Sequence, residues 1–145
     1  MSARFFLDTN IFIYSFDSSA PAKQQESRKL IMEALRSNLG VISYQVIQEF
    51  LSVASRKFEK PLKTPDLLIY FDEVLSPLCD IYPSLDFYRF AIEVKDQTGF
   101  SFYDSLIIAS AVRTGCKKIY TEDMQDGREV MGVKIINPFK IKTYS

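Results

Sequence analysis

The chain has 145 residues, 47% of them hydrophobic and 25% charged, which suits a single core-bearing domain over 1–145 and excludes a disordered or fibrous protein. Lys plus Arg and Asp plus Glu each number 18, so no net positive charge advertises nucleic-acid binding; an enzyme acting on nucleic acid would need local basic patches or a bound cation to offset its acids. The absence of His excludes Ser-His-Asp triads and histidine-ligated zinc, and the five glycines form neither GxGxxG nor a P-loop, which leaves carboxylates as the agents of any chemistry.

Arg4-Phe5-Phe6-Leu7 is a short apolar run that stops at Asp8-Thr9-Asn10. Such a run predicts a central strand buried on both faces, with the polar trio at its carboxyl end, where ligands bind in an open parallel sheet. The competing reading is that one of the three caps a short helix from Ile11 to Tyr14. A loop at Ser18–Pro21 precedes a predicted amphipathic helix over Ala22–Asn38, with Gly40 following its end. Val41-Ile42-Ser43 reads as a second strand, and Tyr44–Phe58 as a helix with Ile47, Phe50, Leu51, Ala54 and Phe58 at helical spacing. Lys60-Pro61 and Thr64-Pro65 punctuate the chain before a helix over Asp66–Leu75. A weak strand around Cys79–Tyr82 and a helix over Leu85–Gln97, stopped by Gly99, come next. Leu106–Val112 is apolar around its whole circumference, which predicts a central, buried helix. Lys118–Thr121 and Val133–Ile136 read as the last strands. The alternation predicts a three-layer α/β/α sandwich with a mainly parallel sheet of four or five strands.

Cys79 and Cys116 form no CxxC pair and read as isolated thiols of a reducing compartment. No stretch approaches the ~20 apolar residues of a membrane span, and a cytoplasmic protein without membrane attachment is expected.

Four acids occupy comparable places: Asp8 ends the first strand, Glu49 lies in the helix after the second, Asp104 opens the most buried helix, and Asp123 follows the strand ending at Thr121. Right-handed crossovers bring all strand ends to one edge of the sheet, so the four can converge. Each also has a structural alternative. Asp104 can complete a capping box with Ser101, Glu49 can be an exposed helical residue, and Asp123 and Asp126 can be ordinary loop acids. Clustered carboxylates repel one another and persist only with protons or cations. All-oxygen ligation favours Mg²⁺ or Mn²⁺, and the chemistry implied is metal-assisted phosphodiester hydrolysis.

The segments Phe6-Leu7-Asp8-Thr9-Asn10-Ile11-Phe12, Gln48-Glu49-Phe50, Phe102-Tyr103-Asp104-Ser105-Leu106-Ile107-Ile108-Ala109 and Tyr120-Thr121-Glu122-Asp123-Met124 resemble the four motifs of PIN domains, above all those of VapC-type toxins. The resemblance covers essentially the whole chain. It implies a Mg²⁺-dependent ribonuclease with Asp8, Glu49, Asp104 and Asp123 as catalytic, metal-coordinating acids and with the hydroxyls of Thr9 and Thr121 near the site. Asp126 stands outside that set. The resemblance also implies a cognate antitoxin, with a segment in a groove beside the acids, and a homodimer.

For RNA, Arg56, Lys57, Lys60 and Lys63 form the densest basic group, with Lys117, Lys118, Lys134, Lys140 and Lys142 a second one; Tyr14, Tyr44 and Tyr103 lie near strand ends where a base can stack. The helices over Tyr44–Phe58 and Asp66–Leu75 carry more apolar surface than one face buries, which predicts either a cleft for a partner helix or burial in the homodimer or the core. Two other functions compete. Asp8-Thr9-Asn10 after an apolar strand is similar to the nucleophile motif of haloacid-dehalogenase-type phosphatases, which have a second Asp where this chain has Asn10. A catalytically silent PIN-like module that binds RNA or protein is the other.

Overall fold

Arg4–Leu7 forms β1 at the centre of a six-stranded sheet in a computed structural model that describes residues 3–140. Its partners are β2 (Gly40–Ser43) on one side and β4 (Cys116–Tyr120) on the other, both parallel, with Phe6 opposite Val41 and Ile119. β3 (Cys79–Ile81) extends the sheet beyond β2, and β6 (Val133–Ile136) extends it beyond β4. β5 (Glu129–Val130) closes that edge antiparallel to β6, giving the order β3-β2-β1-β4-β6-β5. The predicted mainly parallel sheet is present with one strand more than expected, because a two-residue antiparallel edge has no periodicity to read.

The helices follow from the same crossovers. α1 (Thr9–Tyr14) and α2 (Pro21–Ser37) lie between β1 and β2, and α3 (Tyr44–Arg56) follows β2. Between β3 and β4 the chain reverses its direction across the sheet. α6 (Leu85–Thr98) and α7 (Phe102–Arg113) are therefore carried to the opposite face, where α7 packs against β2, β4 and β6. Every residue of α7 from Ser105 to Ala111 is buried, as its apolar circumference predicts. None of the described helices is long and apolar enough to cross a membrane.

Two boundaries differ from the sequence reading. Asn38, at φ 60°, makes the left-handed turn that ends α2, a conformation Asn tolerates. Gly40 instead begins β2. The predicted helix over Asp66–Leu75 is α4 (Thr64–Tyr70) followed by a π-helical turn at Phe71–Leu75 and a short α5 (Ser76–Leu78). The wider turn comes just before Pro77, which has no N–H to return to the preceding turn.

Most of the surplus apolar surface on α3 and α4 goes to the core. Phe50 is fully buried, stacks on Tyr70 at 5.1 Å and meets Phe12 edge-on at 6.3 Å, while Phe16 and Phe58 complete the cluster. Burial pushes the Tyr70 hydroxyl up to about 12. Only Leu68 and Ile69 of α4 are left largely exposed among its large apolar side chains.

Gly40 is required by close approach. A Cβ there would stand 2.1 Å from Ala34 Cβ and 2.7 Å from its Cα, so α2 lies directly on the β2 backbone. Gly40→Ala should therefore push α2 off the sheet and cost at least the ~1–3 kcal/mol of ordinary overpacking, read as a lower denaturant midpoint. An unchanged midpoint would contradict this contact.

Candidate active site

The sheet turns about β1. β2 and β3 lie to one side of it and β4, β6 and β5 to the other, so the carboxyl ends of β1 and β4 flank the point where strand order reverses. The backbone ladder continues past the strands there, from Asp8 N–H to Tyr120 O at 3.0 Å and from Thr121 N–H to Ile136 O at 3.0 Å. Asp8 and Thr121 are thereby fixed side by side by main-chain bonds.

Asp8 takes the structural role weighed for it, and its second carboxylate oxygen is bound as well. It is the N-cap of α1, its Oδ1 accepting from Thr9 N–H at 2.7 Å. Its Oδ2 accepts from the Thr121 hydroxyl at 2.7 Å. Thr121 also accepts from Asp123 N–H at 3.2 Å, which sets the start of the loop after β4. From the other side, the Thr9 hydroxyl donates to Glu49 Oε2 at 2.9 Å, and Gln45 Nε2, one turn earlier on α3, donates to Glu49 Oε1 at 2.8 Å. Glu49 is exposed at its surface yet held at both oxygens. Asn10 Nδ2 donates to Asp123 Oδ2 at 3.1 Å, and the other end of that amide, Oδ1, is buried with no partner among the described residues.

Asp104 opens α7 beneath the Ser101 cap, whose Oγ accepts from Asp104 N–H at 3.2 Å. The reciprocal bond of a capping box, from Ser101 N–H to the Asp104 carboxylate, does not occur among the described residues. Asp126 is turned away from the other acids: its Oδ1 accepts from Asn137 N–H at 2.7 Å and its Oδ2 pairs with Lys140 at 3.4 Å, contacts that hold its carboxyl below the usual range.

Electrostatics show which acids share a field. Desolvation by burial, above all, pushes the Asp8 carboxyl up to about 6; the Thr121 and Thr9 hydrogen bonds oppose the rise, and the charges of Glu49 and Asp123 add to it. Asp123 is raised as well, first by burial and then by Glu122, Asp104 and Glu49. Asp8 thus feels Glu49 and Asp123, and Asp123 feels Asp104 and Glu49. Among the described residues, however, no three of them approach closely enough to enclose a metal ion by themselves.

Asn10 and Gln45 as orienting amides were not foreseen. The i, i+4 spacing of Gln45 and Glu49 was the available signal for one of them. Nor was the clamp at Glu122, which takes a hydrogen bond from Tyr14 at 2.7 Å and pairs with Lys23 at 2.5 Å, while the Lys23 ammonium stands 4.7 Å over the Tyr14 ring. Tyr14 is therefore engaged, whereas Tyr44 and Tyr103 are exposed. Of the basic groups, Arg56, Lys57, Lys60, Lys63, Lys117, Lys118, Lys134 and Lys140 are all exposed, and Lys142 lies outside the described residues.

A family model described as PIN domain matches residues 5–125. No curated protein matches the chain in sequence. Solved structures are similar in fold. A toxin–antitoxin complex from Klebsiella pneumoniae is 20% identical with a TM-score of 0.65, covering 97% of this chain and 100% of that one. VapBC2 of Rickettsia felis, bound to a DNA fragment from its promoter, is 18% identical with a TM-score of 0.63, covering 90% and 96%. VapC20 of Mycobacterium tuberculosis, a sarcin-ricin loop cleaving toxin, is 17% identical with a TM-score of 0.57, covering 82% and 89%.

The raised Asp8 carboxyl has a consequence for stability. The folded chain holds this proton more tightly than the unfolded chain, whose carboxyl titrates near 3.8. The resulting penalty is absent below that pH, grows as pH rises, and is complete above about 6, where a shift of this size is worth up to about 3 kcal/mol. Asp8→Asn removes the charge while the Thr121 hydroxyl can still accept from the new amide. In the metal-free protein it should raise the melting temperature relative to the natural chain at pH 7.5 and much less at pH 4. An equal effect at both values would contradict the origin assigned to the penalty.

Proposed function

Because the chain belongs to the PIN domain family, we propose that it is a metal-dependent endoribonuclease that cuts RNA phosphodiester bonds, acting as the toxin of a VapBC-type toxin–antitoxin pair. The observation that supports the reading best is the shared field of Asp8, Glu49, Asp104 and Asp123 around the carboxyl ends of β1 and β4, with no ion pair to any of the four among the described residues.

The residues suit a hard divalent cation. The donors are all oxygen, the Asn10 Oδ1 is a buried acceptor without a partner among the described residues, and burial, with the charges of Glu49 and Asp123, drives Asp8 toward protonation. Separated carboxylates fit Mg²⁺ or Mn²⁺, which keeps several waters and takes only one or two carboxylates directly. Asp8, Glu49, Asp104 and Asp123 are the side chains that would hold it. When bound, such an ion lowers the pKa of water and offsets charge on the phosphate oxygens. The chain's own contribution is orientation: Thr121 and the Thr9 N–H fix Asp8, the Thr9 hydroxyl and Gln45 fix Glu49, and Asn10 fixes Asp123. Neutral donors position the acids without cancelling the charge that a cation requires.

The partners proposed are an RNA substrate, a cognate antitoxin and a second copy of the chain. The exposed Leu68 and Ile69 of α4 offer apolar contacts to an antitoxin segment, and a basic side chain from such a segment can neutralise the acids in place of the cation. Arg56, Lys57, Lys60 and Lys63, all exposed, are the basic group we assign to the substrate's phosphates.

A cation that binds only the folded state at a hundredfold excess over its Kd adds about 2.7 kcal/mol, or roughly 5–10 °C for a chain of this size. Mg²⁺ or Mn²⁺ should raise the melting temperature of the natural chain by this order and that of Glu49→Gln much less. RNA cleavage should require the cation and disappear in Asp104→Asn. Equal thermal shifts would place the ion elsewhere, and a fully active Asp104→Asn would refute the mechanism.

A further inference from the structure

Beside the acids lies a cavity of about 280 Å³ that the cleavage chemistry does not use. It is walled by the starts of α3, α6 and α7 and by the loop after β3, and besides the buried Phe87 its rings are Tyr44, Tyr82, Tyr88, Phe102 and Tyr103. All five are exposed, Tyr82 and Tyr103 by 64% and 67%. Elsewhere the fold keeps its large aromatics in the core, as with Phe6, Phe12 and Phe50. Among the described residues, no charged side chain lines this cavity. It therefore suits a neutral planar group better than a phosphate or a charged peptide side chain.

Two features join the cavity to the acids. Tyr103 directly precedes Asp104 on the first turn of α7. Gln45 lines the cavity and also donates its Nε2 to Glu49 Oε1 at 2.8 Å. A carboxylate can only accept, so this bond fixes which end of the amide faces Glu49. The other end, Oε1, is buried and has no hydrogen-bond partner among the described residues. An orphaned buried acceptor calls for a donor from outside the chain.

We infer that this cavity is a nucleobase subsite: one unpaired base of the RNA stacks on the exposed tyrosine rings and donates an N–H to Gln45 Oε1, setting the adjoining phosphodiester beside Glu49 and Asp104. Every base offers a flat face and an N–H on its pairing edge, and both are free only where the base is unstacked and unpaired. The subsite thus selects single-stranded segments or loops. Stacking also answers the absence of net positive charge, since a chain with equal numbers of acidic and basic residues gains little affinity from phosphates alone. The inference rests on the ribonuclease reading above.

The test is binding by the full chain, in EDTA, of an unstructured RNA oligonucleotide carrying 2-aminopurine, whose fluorescence is quenched by stacking. The natural protein and Tyr103→Phe should bind it with quenching. Tyr82→Ser and Tyr103→Ser should each weaken binding about tenfold and lose quenching, and the same sequence as a perfect duplex should not be quenched. Unchanged affinity and quenching in both serine variants would overturn the subsite. So would serine variants that lose self-association in sedimentation but keep their RNA affinity, which would assign the rings to a second copy of the chain. Tyrosine-dependent quenching by a protein that cuts no RNA with Mg²⁺ or Mn²⁺ would uphold the subsite and refute the ribonuclease reading instead.

Discussion

The site depends on a carboxylate placed where the sheet gives it little water. β1 is flanked by strands on both sides and covered by helices on both faces, so its residues are apolar from Phe5 through Leu7, and Asp8 is the first position at which the chain meets the opening at the strand ends. Burial there drives the carboxyl up to about 6 despite two good hydrogen bonds. Those bonds come from the residue that begins α1 and from the residue that follows β4. The charge is consequently locked to the β1–β4 register, and a shift in that register would separate Asp8 from Thr121.

The loop after β4 sorts its acids. Glu122 is paired with Lys23 and Asp126 with Lys140, so both are neutralised and serve to fasten the loop to α2 and to the segment after β6. Asp123, between them, has no ion pair among the described residues, takes a side-chain hydrogen bond from the neutral Asn10 amide and sits in the field of Glu122, Asp104 and Glu49. The same division holds elsewhere, since Asp80 pairs with Arg4 and Asp86 with Arg113, far from the site acids. Charges that build the fold have cations as partners. Charges at the strand ends have hydroxyls and amides, which orient them and leave the negative potential standing.

How much of this could be read from residues alone varies with the range of the interactions. β1 and α7 were legible because burial on both faces of a strand, or on all sides of a helix, leaves an uninterrupted apolar run. The placement of the four acids was legible because right-handed crossovers convert chain position into position at the sheet edge. The π turn before Pro77 and the pairing of Glu129 with Lys134 were not, since neither leaves a periodic pattern. The Asn10 and Gln45 amides were missed for different reasons: one acts across 113 residues of chain, and the other looks like any polar residue on a helix. The surplus apolar surface of α3 and α4 was visible, but composition could not show that Phe16, Phe50, Phe58 and Tyr70 would fold it into the core. The phosphatase reading yields to the PIN family match, and Asn10, where that reading needs a second Asp, serves as a donor to Asp123.

The central claim is that the buried charge of Asp8 is the one a bound cation compensates, and proton release measures this directly. Titrating the protein with Mn²⁺ by calorimetry at pH 6, in buffers of different ionisation enthalpy, should release about half a proton per site, because Asp8 is then about half protonated and must ionise to bind the ion. The release should fall toward zero at pH 8 and vanish in Asp8→Asn. Binding at pH 6 with no proton released, or with the same release in Asp8→Asn, would contradict the account.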